Sequence, residues 1–131
     1  MNPTTSEWVI RASFAVTGIV HALPLGGLIG RSMLEGAYGI QLGEGHDLTI
    51  LMQHRALLFG LLSAACFTAV AYPSGRWPVG MAALVSMLGF VVIAAIQPHG
   101  LPIAKVMWVD VGAALLLSFG LLLHFRSATT L

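Results

Sequence analysis

Four apolar stretches, each near the length of a membrane span, constrain this chain more than any other feature of its sequence. They cover residues 8–30, 50–72, 77–97 and 103–125. An α-helix needs about 20 apolar residues to cross the roughly 30 Å hydrocarbon core of a bilayer. Inside that core the backbone must satisfy its own hydrogen bonds, and a helix does so within one segment. The pattern therefore predicts four membrane-spanning helices.

The scarcity of charged residues indicates the same class of protein. The 131-residue chain is 57% hydrophobic and only 8% charged, whereas a soluble domain carries roughly 25% charged residues. Its formal net charge of +1 provides no basic field for nucleic acid, so the bilayer is the expected partner and nucleic acid is not. We expect an all-α integral membrane four-helix bundle that forms a single domain over residues 1–131.

The connections between the spans differ in length. The longest covers residues 31–49 and contains four glycines, at positions that break any long helix. Within it, residues 32–38 have room for one or two helical turns at the membrane interface. The other connections are short, and each contains proline and glycine. Pro24, inside the first span, is expected to kink that helix.

Four spans place both termini on the same side of the membrane, but the basic residues give little information on which side that is. Each side has three Lys or Arg residues. Arg55 and, in part, Lys105 are expected to be internal, and discounting them breaks the tie toward cytoplasmic termini. The basic residues on the side of the termini are Arg11, Arg76 and Arg126, and those on the other side are Arg31, Arg55 and Lys105.

Polar side chains gather in the half of the membrane that carries the long connection. At ~1.5 Å per residue, His54 and Arg55 lie ~6–8 Å below that surface, Asp110 ~10 Å and His21 ~13 Å. Gln97 ends the third span at the same surface. Burying an ionisable group in hydrocarbon costs roughly 2.5–3.5 kcal/mol, so such residues face a partner or a wet cavity. The opposite half offers only Arg11, His124 and terminal groups near its edge.

We interpret this asymmetry as a pocket with a polar head and an apolar body, built from inward-facing side chains of several helices. Arg55 and Asp110 are expected to pair, while His21 and His54 offer neutral donor and acceptor nitrogens. Gln97 completes the predicted ligand-binding set. A purely structural explanation stays open, because an Arg55–Asp110 pair would also hold the second and fourth helices in register. His21 can likewise satisfy itself on a backbone carbonyl.

Metal and haem sites find little support in the spacing of ligand residues. The chain has no H-x-x-x-H, C-x-x-C or E-x-x-H motif. A bis-histidine haem needs two imidazoles at equal depth, whereas His21 and His54 differ by ~7 Å. A metal held by His21, His54 and Asp110 stays open, and no cofactor is assigned. No phosphate loop or nucleophile elbow appears, so the sequence leans away from an enzyme.

Two short motifs resemble a family of small bacterial four-span membrane proteins that are loosely similar to DoxX-like bundles. The motifs are Ala37-Tyr38-Gly39 and Leu51-x-x-His54-Arg55-Ala56-x-x-Phe59-Gly60. The resemblance covers most of the chain, implies the four-helix fold and a bacterial inner membrane, and points to His54 and Arg55 without implying a settled reaction. Some relatives are labelled phosphopantetheine adenylyltransferase. We reject that activity here, because the soluble enzyme's H-x-G-H motif is absent.

Three functions follow as hypotheses. The first is a binding protein for a small amphipathic molecule, a quinone or a lipid, whose polar head meets the polar residues. The second is a structural or assembly subunit of a larger membrane complex or of a homo-oligomer. Small-residue pairs at Gly26/Gly30 and Gly112/Gly120 would permit such close helix contact. The third and weakest is a metal- or redox-dependent membrane enzyme.

Overall fold

The computed structural model describes residues 3–39, 41, 43 and 46–128, and all of its regular elements are helices. The predicted all-α bundle is thereby confirmed. Four segments are long and apolar enough to cross a membrane, with lengths of 24, 26, 23 and 27 residues, as in a multi-pass membrane protein. The helices are α1 (Pro3–Ala22), α2 (Arg31–Tyr38), α3 (His46–Ala71), α4 (Arg76–Ala95) and α5 (Leu101–Ala128).

The four long helices form a ring in which α1 packs against α3 and α5, and α4 packs against the same two helices. Contacts near the helix ends show which helix ends lie at the same end of the bundle. Glu7 of α1 is bonded to Arg76, the first residue of α4, and Trp77 of α4 lies 6.4 Å from Phe125 of α5, measured between ring centroids. We call this the terminal end of the bundle. The opposite end carries α2, and we call it the α2 end.

Pro24 changes the course of the first span. Proline has no backbone N–H to donate to an α-helix, and α1 ends at Ala22. The chain continues as a 3₁₀ helix, Leu23–Leu28, which packs mainly against α2 and α3. The last part of the first span therefore follows a different path from α1 itself.

Helices occupy both ends of the connection predicted over residues 31–49. Helix α2 forms where one or two turns were expected, and α3 begins earlier than predicted, at His46. In α2, Arg31 pairs with Glu35 one turn later at 3.1 Å, a spacing that supports an isolated helix. Gly39, with a φ of 62°, ends α2 in the left-handed conformation that glycine adopts readily. The next helix begins at His46 and carries Asp47 in its first turn, where the helix dipole favours an acidic side chain.

Helix α2 covers one end of the bundle with a single apolar anchor. Leu34 is 1% exposed and packs against Met52 of α3 and Ile103 of α5. Its side chain also fills the space beside Gly27, where any larger residue would overlap it. The α2 end is therefore closed at its centre by a packed side chain.

Small residues bring the first and third helices together in the middle of the bundle. The Ser63 hydroxyl of α3 donates a hydrogen bond to the Gly18 carbonyl of α1 at 2.7 Å. Both residues are buried. The main apolar core surrounds this contact and consists of Ile10, Phe14, Cys66, Ala69, Ala83, Met87, Ala113, Ala114, Leu117 and Leu121.

We expect Ser63→Ala to lower the free energy of unfolding by about 0.6 kcal/mol, the average for a hydrogen bond between membrane helices. Thr68→Ala is the matched control, because the Thr68 hydroxyl is exposed and bonds only the Ala64 carbonyl of its own helix. Unfolding of both variants by denaturing detergent, followed by circular dichroism, measures the difference. An equal effect of the two substitutions would contradict a stabilising role for the interhelical bond.

The two glycine pairs expected to face a second copy lie in unlike surroundings. Gly120 packs against Ser13 of α1, so it serves contact within the chain. Gly30 and Gly112 have no atom near the position of a Cβ, and Gly26 approaches only the end of Met33. Homo-oligomerisation through these faces stays a prediction.

Candidate functional site

A cavity of about 230 Å³ lies between the four long helices. Its walls come from α1, the 3₁₀ segment, α3, α4 and α5, and most of its lining is apolar. Five polar side chains interrupt that apolar lining, and they come from four different helices. They are His21, Arg55, Ser86, Lys105 and Asp110.

Three of the five predicted site residues, His21, Arg55 and Asp110, line this cavity. The other two lie elsewhere, which corrects the sequence interpretation. His54 is exposed on the outside of α3, because adjacent residues of an α-helix point about 100° apart and Arg55 is the one turned inward. Gln97 lies beyond the end of α4, in an exposed turn.

The sequence interpretation also missed residues that line the cavity. Ser86 carries no charge to draw attention to it, and Lys105 was expected to be only partly internal and was not assigned to the site. Phe59 could have been found from its spacing, because it follows Arg55 by four residues and so shares its helix face.

Arg55 is held by aromatic rings instead of by a carboxylate. Its guanidinium carbon lies 5.0 Å from the centroid of Phe59 and 5.4 Å from that of Phe90. Such cation–π contacts contribute about 0.5–2 kcal/mol. The expected ion pair with Asp110 is not formed, since the ion pairs among the described residues are Glu7–Arg11, Arg31–Glu35 and Glu7–Arg76. The guanidinium N–H groups of Arg55 therefore have no acceptor in the part of the chain that is described.

His21 has one nitrogen committed and one facing the cavity. The ring is 4% exposed, and Nδ1 lies 2.9 Å from the Thr17 carbonyl oxygen. A carbonyl oxygen only accepts, so Nδ1 carries the hydrogen and a neutral ring presents Nε2 as an acceptor. The edge of the ring meets Phe59, with centroids 5.7 Å apart. Phe59 thus contacts both His21 and Arg55 and fixes their relative positions.

A metal site built from His21, His54 and Asp110 does not assemble, because His54 lies on the outer surface. Across residues 3–39, 41, 43 and 46–128, no group of three or more His, Cys, Asp or Glu side chains is arranged to hold a metal ion. The polar groups of the cavity are therefore a mixed set of donors and acceptors for hydrogen bonds. Such a set suits the polar head of an organic molecule.

The terminal end contains a second group of charges that the sequence interpretation missed. Arg76 was counted only among the basic residues on the side of the termini, yet its side chain is 1% exposed. Its two terminal nitrogens donate to the Glu7 carboxylate at 2.9 and 2.6 Å. Glu7 also accepts from Arg11 at 2.8 Å.

The same guanidinium completes the end of α3. Its Nε donates to the Ala69 carbonyl at 3.1 Å and its Nη2 to the Val70 carbonyl at 3.4 Å. These carbonyls belong to the last turn of a helix, where no intrahelical donor remains for them. Every nitrogen of Arg76 thus has a partner within the chain, so this cluster is a structural joint between α1, α3 and α4.

Comparison with known proteins finds no matching family model, no matching curated protein and no matching solved structure. What indicates a function is the chemistry of the cavity residues.

Proposed function

We propose that the chain is a multi-pass protein of the bacterial inner membrane, with cytoplasmic termini, that binds a small amphipathic molecule in this cavity. A quinone or a lipid has the required combination of a polar head and an apolar body. The observation that carries the proposal is the convergence of His21, Arg55 and Asp110 on one otherwise apolar cavity. Membership of the DoxX-like bundles, to which the motif Leu51–Gly60 is loosely similar, is part of the same proposal.

The contrast between the two inward-facing arginines supports binding over a purely structural role. Each of the three side-chain nitrogens of Arg76 donates to Glu7 or to a helix carbonyl. Arg55 lies over two rings and donates to no described residue. A guanidinium inside a membrane protein needs acceptors, and the oxygen atoms of a ligand head would supply them.

Each cavity residue then has a role set by its chemistry. Arg55 donates to an oxygen of the head, and Nε2 of His21 accepts a hydrogen where the head carries one. Phe59 keeps both side chains in position through its two ring contacts. The apolar remainder of the lining receives the first carbons of the ligand body.

The first test is native mass spectrometry of the protein from a gentle detergent. We expect a discrete adduct on the wild-type chain, whose mass identifies the ligand. Arg55→Ala should lower its occupancy at equal ligand concentration by at least about tenfold, because a hydrogen bond to a charged group is lost. Arg55→Lys should retain part of the binding, because it keeps the positive charge.

His54→Ala is the matched comparison, since it changes the neighbouring residue on the exposed side of the same helix. It should leave the adduct in place. Retention of the adduct by Arg55→Ala, or its loss in His54→Ala alone, would overturn the proposed site. Thermal unfolding of each variant separates loss of the ligand from loss of the fold.

A subunit role is the second candidate, and the exposed imidazole of His54 favours it. If α3 is centred in the bilayer, His54 lies ~7 Å from the midplane. A polar ring facing hydrocarbon there is costly, whereas a partner helix would provide a hydrogen-bonding group. Under this alternative, the spectrum shows an oligomer or a partner protein, and His54→Leu dissociates it while the cavity adduct is absent.

A further inference from the structure

We propose that the ligand is a single-chain amphiphile with an acidic head, a carboxylate or a phosphate, which enters sideways from the bilayer between the 3₁₀ segment Leu23–Leu28 and α5. This inference rests on the proposed function and adds to it the chemical class of the ligand, its route, and Lys105 as the residue at the entrance. The exposure of the lining supports the route, its charges support the acidic head, and the volume of the cavity limits the size of the ligand.

In the part of the chain that the structure describes, a packed side chain closes the α2 end. Leu34 of α2 is buried against Met52 and Ile103, and it occupies the space beside Gly27. These contacts join α2 to the 3₁₀ segment, α3 and α5, across the mouth of the bundle. A ligand arriving from water would have to displace this packed side chain.

The side facing lipid is lined by exposed residues instead. Leu23 of the 3₁₀ segment is 69% exposed and Val109 of α5 is 47% exposed, and both line the cavity. Lys105 stands one turn from Val109 and is also exposed. On the inner wall, His21 is 4% exposed. The lining thus passes from buried to exposed between Leu23 and α5.

This gap follows from the change of helix type at Pro24. Beyond Ala22 the chain leaves the course of α1, which packs on α5, and packs mainly on α2 and α3. The 3₁₀ segment therefore makes few contacts with α5 at the depth of the cavity. The gap is apolar at Leu23 and Val109, as a passage for an alkyl chain requires.

The charges of the lining favour an acid. Arg55 and Lys105 are positive and Asp110 is negative, and among the described residues the one other ionisable side chain that lines the cavity is His21. Neither cation is in an ion pair with any described residue. Lys105 at the rim would meet an anionic head first, and Arg55 would receive it deeper inside.

The volume limits what can enter. At about 230 Å³, the cavity exceeds the ~150 Å³ apolar cavity that accommodates benzene. It is smaller than the ~300 Å³ at which pockets for drug-sized ligands begin. A head and a few methylenes fill it, and the rest of one chain lies in the gap.

The charge preference is tested with four probes in nanodiscs of uncharged phosphatidylcholine. Oleate and dodecyl phosphate carry the acidic head, while dodecanol and an uncharged decyl benzoquinone do not. We expect the wild type to bind the two acids more tightly, and the tighter one distinguishes carboxylate from phosphate. Lys105→Gln should weaken binding of the acids about fivefold, as for one basic residue near an anionic lipid, without affecting dodecanol. Arg126→Gln, at the far end of α5, is the control for loss of a positive charge. It should change the binding of neither the acids nor dodecanol.

The route is tested by narrowing the gap. Leu23→Trp should slow oleate association and lower its occupancy, while Leu28→Trp should not, because Leu28 is exposed on the same 3₁₀ segment but does not line the cavity. Val109→Phe and Leu115→Phe form a second such pair on α5. This pair keeps the test available if a tryptophan at position 23 prevents folding.

The outcomes separate this inference from the function on which it rests. Equal binding of the uncharged and acidic probes, or no effect of Lys105→Gln on the acids, overturns the acidic head while amphiphile binding stands. Equal association rates for Leu23→Trp and Leu28→Trp, and for the pair on α5, overturn the lateral route. Failure of all four probes to bind a folded wild-type protein overturns the proposed function itself.

Discussion

Glu7→Ala should lower the free energy of unfolding by about 2–3 kcal/mol, because it leaves the guanidinium of Arg76 buried without its counter-charge. The Glu7 side chain itself is 38% exposed, which keeps the cost below that of a fully buried pair. Arg76 is fully enclosed and donates two hydrogen bonds to Glu7. Arg76→Ala should cost about as much, since it also removes the donors to the Ala69 and Val70 carbonyls. Denaturing-detergent titration of the purified variants, followed by circular dichroism, gives the values.

Arg11→Ala is the matched control for this cluster. Arg11 binds the same carboxylate, but its side chain is exposed, and an exposed ion pair contributes about 0–1 kcal/mol. The double variant Glu7→Gln with Arg76→Met should recover part of the loss, because it leaves no charge buried without a partner. Equal costs for Arg11→Ala and Glu7→Ala would show that Arg76 does not depend on Glu7.

Gly120→Ala should cost about 2–3 kcal/mol, at the upper end of the range for overpacking a core. A methyl group at position 120 would overlap the Ser13 hydroxyl and lie 2.9 Å from the Ser13 Cβ. The Cβ cannot rotate away, and the Ser13 hydroxyl is already bonded to the Ile10 carbonyl at 2.7 Å. Relief requires α1 and α5 to move apart. The same titration measures the cost.

Gly112→Ala is the control on the same helix. Nothing lies near the position of its Cβ, so the better helix propensity of alanine should stabilise the protein by about 0.5–1 kcal/mol. Adding Ser13→Gly to Gly120→Ala removes both overlapping atoms and should restore most of the stability. If Gly120→Ala were no more harmful than Gly112→Ala, the close approach of α1 and α5 would be disproved.

The depth of the polar residues was predictable from the sequence, but their direction was not. Counting residues along each span placed His21, Arg55 and Asp110 in one half of the bundle, and the structure brings them to one cavity. The same count gave His54 the same depth as Arg55. Depth follows from the rise per residue alone. The direction in which a side chain points can be predicted only when a helix has one distinctly apolar face. Helix α3 is apolar on nearly all sides, so its sequence does not show which side faces the bundle.

The burial of Arg76 could not be predicted for a different reason. The second span was predicted to end at residue 72, and α3 ends at Ala71 before the turn at Pro73–Gly75. A basic residue after such a turn normally faces headgroups. What buries this one is Glu7, near the start of the first span. No local pattern links the two positions. Long-range pairs of this kind appear only when the helices are arranged in three dimensions.

The pairing of Glu7 with Arg76 also has a consequence for how the protein is made. The two residues are separated by 69 positions, so a ribosome synthesises Glu7 long before its main partner exists. During that interval Arg11, one turn away on the same helix, is the nearest cation. The Glu7 carboxylate can therefore enter the membrane paired with Arg11 and form its hydrogen bonds with Arg76 later. The start of α1 reaches its final position only after the start of α4 has been inserted, which makes this joint a late event in biogenesis.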